Sequence, residues 1–263
     1  MIRNHDFRHG GLTLRSTVHI PDNPAEIRWP TAVFVHGFGN NRLETGSSFV
    51  QMSRLLERNG VASVRFDLSG HGESDGDFFG VTITGEITET RAVVRTVRTL
   101  AFADPDRIGL VGMSMGGVVA AIVAAEEPGI RAVCLWSPAA VAPFEVGSGY
   151  LKGRDIGTEV KEKGYFDANG HRMSQALVDD ITNLDVYGRS RAYTGPVRII
   201  HGDGDDIAPI AYARRYLDQY GGNAELETVP GADHGWGTVP HRVRLHRSTL
   251  EFLREQLERA DHA

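Results

Sequence analysis

The chain has 263 residues, which allows one large domain or two small ones. Hydrophobic residues make up 41% of it and charged residues 24%, near the averages of globular proteins, and Gly (31) and Pro (11) are too few for a disordered or collagen-like chain. Lys and Arg number 28 against 34 Asp and Glu, for a net charge of −6. That charge offers no attraction to phosphate backbones or anionic lipid, so we expect no nucleic-acid partner and no membrane partner.

The cellular setting is predicted from the cysteine content and the N-terminal residues. Cys134 is the single cysteine and lies in the apolar stretch RAVCLW, which indicates a buried thiol and excludes an internal disulfide. The first residues, MIRNHDFRHGG, lack the apolar centre of a signal peptide. No apolar run approaches the roughly 18 residues that span a bilayer. We therefore expect a cytoplasmic protein.

Strands and helices are predicted to alternate along most of the chain. The run Leu12–Ile20 alternates like a half-buried strand. Six further strand-like runs follow: Thr31–His36, Val61–Phe66, Arg107–Gly112, Ile130–Trp136, Val197–Gly202 and Ala224–Val229. Helical spacing predicts five helices between and after them: Ser48–Asn59, Thr84–Phe102, Met115–Glu126, Ile210–Tyr220 and Val243–Leu257. Such alternation indicates an α/β fold with a mostly parallel central sheet flanked by helices.

Residues 139–192 interrupt this alternation. They contain no run that resembles a central strand, but the stretch YFDANGHRMS predicts a hairpin with Asn169 and Gly170 at its turn. We interpret the segment as an inserted lid. The sequence thus predicts a core formed by residues 1–138 and 193–263, with residues 139–192 as a small subdomain.

A candidate nucleophile stands between a predicted strand and a predicted helix, in the sequence Gly112-Met113-Ser114-Met115-Gly116. A serine in a tight strand-to-helix turn needs glycine two residues before it and two after it, because side chains there would collide with the backbone. The following helix would place N–H groups and a positive dipole end beside the Ser114 hydroxyl. This pattern is typical of a serine nucleophile in acyl transfer.

Candidates for the catalytic base and acid follow two later strands. A serine hydroxyl needs an imidazole to take its proton, and the imidazole needs a carboxylate. For a nucleophile on such a turn the chain order is serine, acid, histidine. We predict His234, in the loop VPGADHGW, as the base. For the acid we choose Asp205 over Asp203, which directly follows the strand, and keep Asp206 as the alternative.

Two backbone N–H groups are predicted to bind the oxyanion: that of Met115 and that of Phe38, in the glycine-flanked loop His36-Gly37-Phe38-Gly39. We interpret the other histidines near these loops and helices as packed or structural residues: His36, His71, His201, His241 and His246. No three histidines or carboxylates have metal-ligand spacing on one predicted helix, so a zinc hydrolase is disfavoured and no metal or cofactor is expected.

With these residues assembled, the chain resembles the α/β-hydrolases, from about Ala32 to the C-terminal helix. The stretches VFVHGFGNNR, VASVRFDLSGHGESDGDF, TITGEITET, DRIGLVGMSMGG and PGADHGW are similar to bacterial cinnamoyl and feruloyl esterases. The resemblance implies a triad of Ser114, Asp205 and His234, with Phe38 and Met115 at the oxyanion hole. Members of that family often carry Gln where this chain has Met115. In that family an insertion after the sixth strand caps the site.

The sequence therefore predicts a serine carboxylester hydrolase of hydroxycinnamate or similar small acyl esters. Tyr165, Phe166 and Tyr187 in the insertion are candidates to line an aromatic slot, and the insertion's own core is the alternative for them. Two other functions stay open: hydrolysis of short-chain, lipid or thioester substrates, and ligand sensing without turnover. The expected partner is a small-molecule ester, and a homodimer is left open.

Overall fold

The computed structural model describes residues 1–22, 28–151 and 153–258, so parts of the two predicted core segments lie outside the described residues. Eight strands form one sheet, which runs in this order: β1 (Ile2–Asn4), β4 (Ser16–His19), β6 (Ala62–Phe66), β5 (Trp29–Val35), β7 (Ala103–Met113), β8 (Ile130–Trp136), β13 (Val197–Gly202) and β14 (Ala224–Val229). The pairings from β6 to β14 are parallel, and those of β4 with β1 and β6 are antiparallel. This confirms the mostly parallel sheet predicted from the alternation.

Helices cover both faces of the sheet. The five long ones are α1 (Ser48–Arg58), α2 (Ile83–Thr99), α3 (Met115–Glu126), α8 (Ile210–Tyr220) and α9 (Val239–Glu258). One hydrophobic core holds the inward side chains of α2, α3 and α8, and the other holds those of α1 and α9. Helix α3 is apolar on nearly all sides because it lies between the sheet, α2 and the segment that follows β8.

The predicted single strand Leu12–Ile20 is wrong, because the chain changes sheets at Arg15. Before that residue, β3 (Leu12–Leu14) pairs with β2 (Phe7–His9), whereas β4 after it joins the main sheet. The Arg15 N–H donates to Ser74 Oγ at 2.8 Å, and its carbonyl accepts from the Asp67 N–H at 2.9 Å. A distant loop thus satisfies the backbone groups that a continuous ladder would use.

Several predicted elements have the observed bounds, among them β8, β13, β14, α3 and α8. Helix α9 begins at Val239 instead of Val243. Its first turn is exposed, with Val239 at 78% and Val243 at 60% of full exposure, so that turn carries no buried apolar face to mark it in the sequence. Pro240 is compatible with a first helical turn, where its missing N–H would have no partner.

Between β8 and β13 the chain forms a separate layer, which we call the β8–β13 connection (137–196). Its described residues form four short helices and two small hairpins: α4 (Ala142–Gly147), β9 (Tyr150–Leu151), β10 (Arg154–Asp155), α5 (Ile156–Lys163), β11 (Phe166–Ala168), β12 (His171–Met173), α6 (Gln175–Thr182) and α7 (Val186–Ser190). In its described part, no strand joins the eight-stranded sheet.

The turn between β11 and β12 agrees with the predicted hairpin. Asn169 and Gly170 both have positive φ, 56° and 86°, as a two-residue hairpin turn of the mirror-image type requires. The hairpin packs on the short helical turn Phe78–Gly80, which follows β6. The connection therefore contacts the segment that follows the carboxyl end of the parallel strand β6.

Candidate active site

Ser114 occupies a strained turn between β7 and α3, which we call the nucleophile turn (Gly112–Gly116). Its φ of 55° and ψ of −121° are unusual for a residue with a side chain. A Cβ on Gly112 would collide with the Gly116 carbonyl, and a Cβ on Gly116 would collide with the carbonyls that end β5. Only glycine fits at these two positions, and the close packing holds Ser114 in its strained conformation.

The structure brings His234 and Asp205 to Ser114. His234 Nε2 lies 2.9 Å from Ser114 Oγ, and His234 Nδ1 lies 2.8 Å from Asp205 Oδ2. Because an ionised carboxylate only accepts hydrogen bonds, Nδ1 carries the proton and donates it to Asp205. Nε2 is then the acceptor for the Ser114 hydroxyl, which is the arrangement that proton removal from the serine needs.

Asp205 is buried at 8% exposure and accepts several hydrogen bonds. Its Oδ1 accepts from the backbone N–H groups of Ile207, at 3.0 Å, and Ala208, at 2.8 Å. Burial by itself would raise the pKa of Asp205, but hydrogen bonds from His201 and His234 outweigh burial and hold that pKa well below its usual range. Asp205 is therefore ionised at neutral pH and stabilises a positive charge on His234.

The two neighbouring aspartates have other surroundings. Asp203 is exposed and accepts from the Gly231 N–H at 2.6 Å, which ties the two loops together. Asp206 is exposed on the outer side of the loop. The geometry favours Asp205 over both as the partner of His234.

His201 contacts this group, although the sequence analysis assigns it only a packing role. It is fully buried at the end of β13, and its Nε2 lies 2.7 Å from the Ala208 carbonyl oxygen and 3.3 Å from Asp205 Oδ2. Since both neighbours are acceptors, Nε2 is a donor. The signal in the sequence is its place at the carboxyl end of a strand, four residues before Asp205.

Two backbone N–H groups stand near Ser114. Met115 is the first residue of α3, so its N–H has no acceptor within the helix. The loop after β5 packs against the nucleophile turn, since a Cβ on Gly37 would lie 3.3 Å from Ser114 Cβ. The Gly37 carbonyl accepts from His36 Nδ1 at 2.9 Å and from the Asn40 N–H at 3.1 Å. The Gly37–Phe38 peptide is trans, so the Phe38 N–H points away from the Gly37 carbonyl. The two hydrogen bonds to that carbonyl therefore set the direction of the Phe38 N–H.

Glu44 is a second residue that the sequence analysis does not identify. It is buried at 7% exposure, with φ 60°, and it accepts from the Gly37 N–H at 2.9 Å, from the Thr45 N–H at 3.0 Å and from the Asn40 amide. Burial raises the pKa of Glu44, although these hydrogen bonds offset part of the effect. Glu44 thus connects the two ends of the loop that carries Phe38.

The three aromatic residues predicted for a substrate slot have packing contacts. Phe166 is buried, and Arg154 Cζ lies over its ring, 4.5 Å from the ring centre. The Tyr187 hydroxyl donates to the Tyr212 carbonyl at 2.9 Å. Tyr165 is half-buried beside β11. Phe166 and Tyr187 therefore contribute to the packing of the connection, and a role of the three in substrate binding stays a prediction.

Residues 1–22, 28–151 and 153–258 contain no group of three or more His, Cys, Asp or Glu arranged to hold a metal ion. Over the same ranges, none of the helices has the length and apolar character needed to cross a bilayer.

Solved structures with this architecture exist. Est1E from Butyrivibrio proteoclasticus, in a structure with ferulic acid bound, superposes with a TM-score of 0.87 and is 30% identical; the match covers 97% of this chain and 100% of Est1E. A protein from Agrobacterium vitis S4 superposes with a TM-score of 0.79 at 24% identity, over 96% of this chain and 99% of the other, a likeness of fold. These neighbours agree with the resemblance found in the sequence.

Curated relatives have more varied names. A non-heme chloroperoxidase from Kitasatospora aureofaciens is 25% identical over 84% of this chain and 91% of its own length. A 2,6-dihydropseudooxynicotine hydrolase from Paenarthrobacter nicotinovorans is 26% identical over 98% of this chain, which spans 62% of that longer protein. The model of the alpha/beta hydrolase family matches residues 32–244. With a match over most of its length and a sheet, helices and nucleophile turn of the expected form, the chain belongs to the alpha/beta hydrolase family.

Proposed function

We propose that this protein is a serine carboxylester hydrolase that works through Ser114, His234 and Asp205. The observation that carries the proposal is the continuous hydrogen-bonded path from Ser114 Oγ through the His234 ring to Asp205, with contacts of 2.9 Å and 2.8 Å. The membership of the alpha/beta hydrolase family supports it.

In the first half of the reaction Ser114 Oγ attacks the ester carbonyl carbon. His234 Nε2 takes the hydroxyl proton, and ionised Asp205 stabilises the resulting imidazolium. The carbonyl oxygen becomes an oxyanion, for which the N–H groups of Met115 and Phe38 are the proposed donors. Loss of one such donor costs about 10² to 10³ in rate. When the tetrahedral intermediate collapses, His234 gives its proton to the leaving alcohol, and an acyl group stays on Ser114.

In the second half a water molecule takes the place of the alcohol. His234 removes a proton from it, and the oxygen attacks the acyl carbon, again forming an oxyanion. Collapse releases the carboxylic acid and returns the proton to Ser114 Oγ. The side chains present in this chain supply every proton transfer in the cycle.

We propose hydroxycinnamate esters, such as feruloyl esters, as substrates. The likeness to Est1E, whose structure holds ferulic acid, supports this class. Aromatic side chains on the loop after β5 and next to it support this class too. The Phe38 ring is half-buried and lies 5.2 Å from the Phe78 ring, edge to face. Flat rings of this kind suit a planar aromatic acyl group.

We also propose that residues 139–192 cap the site and select the acyl group, with Tyr165, Phe166 and Tyr187 as candidate lining residues. The contacts of this segment with the residues that follow the carboxyl end of β6 support a capping role. A fold alone does not determine a substrate, as the names of the curated relatives illustrate. Substrate range is therefore the first quantity to measure.

The test is a hydrolysis panel of methyl ferulate, a short aliphatic ester and an acyl thioester, with Ser114→Ala as the control. The proposal expects the highest kcat/KM for methyl ferulate and loss of all hydrolysis in the control. A preference for the aliphatic ester or the thioester would retain the serine mechanism and overturn the substrate class. Saturable ferulate binding without turnover in the wild type would instead favour a sensor and overturn the enzymatic proposal.

A further inference from the structure

One histidine of the β8–β13 connection contacts the loop that carries Phe38. His171, on β12, lies with its Nε2 3.1 Å from the Gly39 carbonyl oxygen. Because a carbonyl oxygen only accepts, Nε2 bears a proton and donates it. The two residues are 132 positions apart in the chain.

The approach at this contact is close. Gly39 has a φ of +66°, and a Cβ at that position would lie 2.9 Å from His171 Cδ2. A side chain at residue 39 would therefore push the His171 ring away from the loop. The ring also lies against an aromatic cluster, with its centre 4.3 Å from that of Phe78, which in turn lies beside Phe38.

Other polar contacts of the connection reach different places. Arg172 pairs with Asp77 at 3.4 Å on the surface. Asp180 accepts from Thr84, at the start of α2, and Arg189 pairs with Glu126, at the end of α3. The His171 contact, in contrast, joins the connection to the loop between β5 and α1.

We propose that His171 is a positioning residue for the oxyanion hole. Residues Gly37 to Asn40 form a tight turn, closed by the Asn40 N–H on the Gly37 carbonyl at 3.1 Å. The His171 hydrogen bond holds the Gly39–Asn40 peptide of that turn and keeps it from rotating. Since the orientation of the turn sets the direction of the Phe38 N–H, the connection acts on the oxyanion hole through this donor. The inference rests on the proposed function for its catalytic consequence.

The first measurement compares kcat and KM on an ester that the wild type hydrolyses. His171→Phe keeps an aromatic ring against Phe78 and removes the donor, so kcat should fall about tenfold while KM stays within about twofold. His171→Gln supplies an amide N–H in its place and should recover most of kcat. Arg172→Ala, the neighbouring residue of the same strand, is the matched control and should leave kcat unchanged.

The second measurement does not depend on ester hydrolysis. Hydrogen exchange followed by mass spectrometry reports the backbone N–H groups of residues 37–43. Exchange in this segment should be faster in His171→Phe than in the wild type, and near the wild-type rate in His171→Gln and Arg172→Ala. If the wild type hydrolyses no ester, the proposed function fails, and exchange still decides whether His171 orders the loop.

Several outcomes would overturn the inference. Unchanged exchange in His171→Phe would mean that the hydrogen bond does not order the loop, and unchanged kcat would mean that the loop's order does not affect the oxyanion hole. A higher KM with normal kcat would indicate a substrate contact instead of a positioning role. Equal effects in Arg172→Ala would point to general loosening of the connection. Failure of His171→Gln to recover kcat would show that the donor is not what matters.

Discussion

The nucleophile turn and the β8–β13 connection are held in place by different means. In the turn the backbone segments approach so closely that Gly112 and Gly116 have no room for a Cβ. In the connection, a Cβ on Gly164 or Gly170 would meet no atom within 4 Å. Backbone crowding thus holds the nucleophile turn, whereas side chains hold the connection, where even the crowded Gly188 and Gly195 meet side-chain atoms and not backbone. Under the proposed function, the chemistry resides in the crowded turn and substrate choice in the connection.

The largest expected effect concerns the reacting group itself. Replacing either Ser114 or His234 by Ala should lower kcat for ester hydrolysis by about 10⁶-fold, because neither residue can act without the other. For the same reason the double variant should be no slower than either single one. Steady-state kinetics on one ester measures all three variants. More than a tenth of wild-type activity in either single variant would contradict the assignment.

The next effect tests which aspartate supports the base. Asp205→Asn should lower kcat by about 10⁴-fold, because an amide cannot stabilise the His234 imidazolium and favours the wrong tautomer. Asp206→Asn is the matched control in the same loop, and we expect its kcat within about twofold of the wild type, since Asp206 is exposed. If Asp206→Asn were the slower variant, the acid would be misassigned.

A third experiment measures the contrast between the two regions directly. Gly116→Ala should lower the free energy of unfolding by about 3 kcal/mol or more, since the new Cβ would meet the backbone carbonyls of β5. Gly170→Ala adds its Cβ in open space, and its cost is the positive φ of 86°, about 1 kcal/mol. Urea unfolding of both variants gives the comparison. Similar losses would mean that backbone crowding does not distinguish the regions.

The smallest effect is a pH dependence that arises in the core, away from the connection. Burial lowers the pKa of His246 from 6.5 to about 4. As the pH falls, His246 therefore binds a proton at a higher pH in the unfolded chain than in the folded protein. Stability from the neutral ring is fully present above about pH 6.5 and is lost as the pH falls toward 4, at up to about 1.4 kcal/mol per pH unit.

Ser48 Oγ lies 3.0 Å from His246 Nε2. His246→Gln keeps a polar group near Ser48 and removes the group that titrates. From pH 7 to pH 5 the free energy of unfolding should fall less steeply in this variant than in the wild type. The difference in slope should correspond to up to about one proton bound on unfolding. Parallel pH profiles for the two proteins would refute the prediction.

Much of the fold could be predicted from local patterns. Strands β8 and β13 are short apolar runs bounded by turn residues, and α3 follows directly from the glycine-rich turn, so their bounds needed no knowledge of distant contacts. The strand that breaks at Arg15 could not be predicted, because the break depends on hydrogen bonds from residues 67 and 74. The same limit applies to Glu44, whose sequence surroundings resemble those of an ordinary loop residue, and to the contact of His201 with Asp205, which exists only in the folded chain.

The amino-acid sequence alone determined the identity of the candidate nucleophile, since a serine flanked by glycines between a strand and a helix is constrained by the sterics of five consecutive residues. It also determined the two loops that carry the proposed base and acid. Tertiary structure decided which aspartate meets His234 and that His171 reaches the Gly39 carbonyl. The reason is physical: backbone sterics act between neighbours in the chain, whereas hydrogen bonds between distant loops exist only after the sheet and its helices have packed.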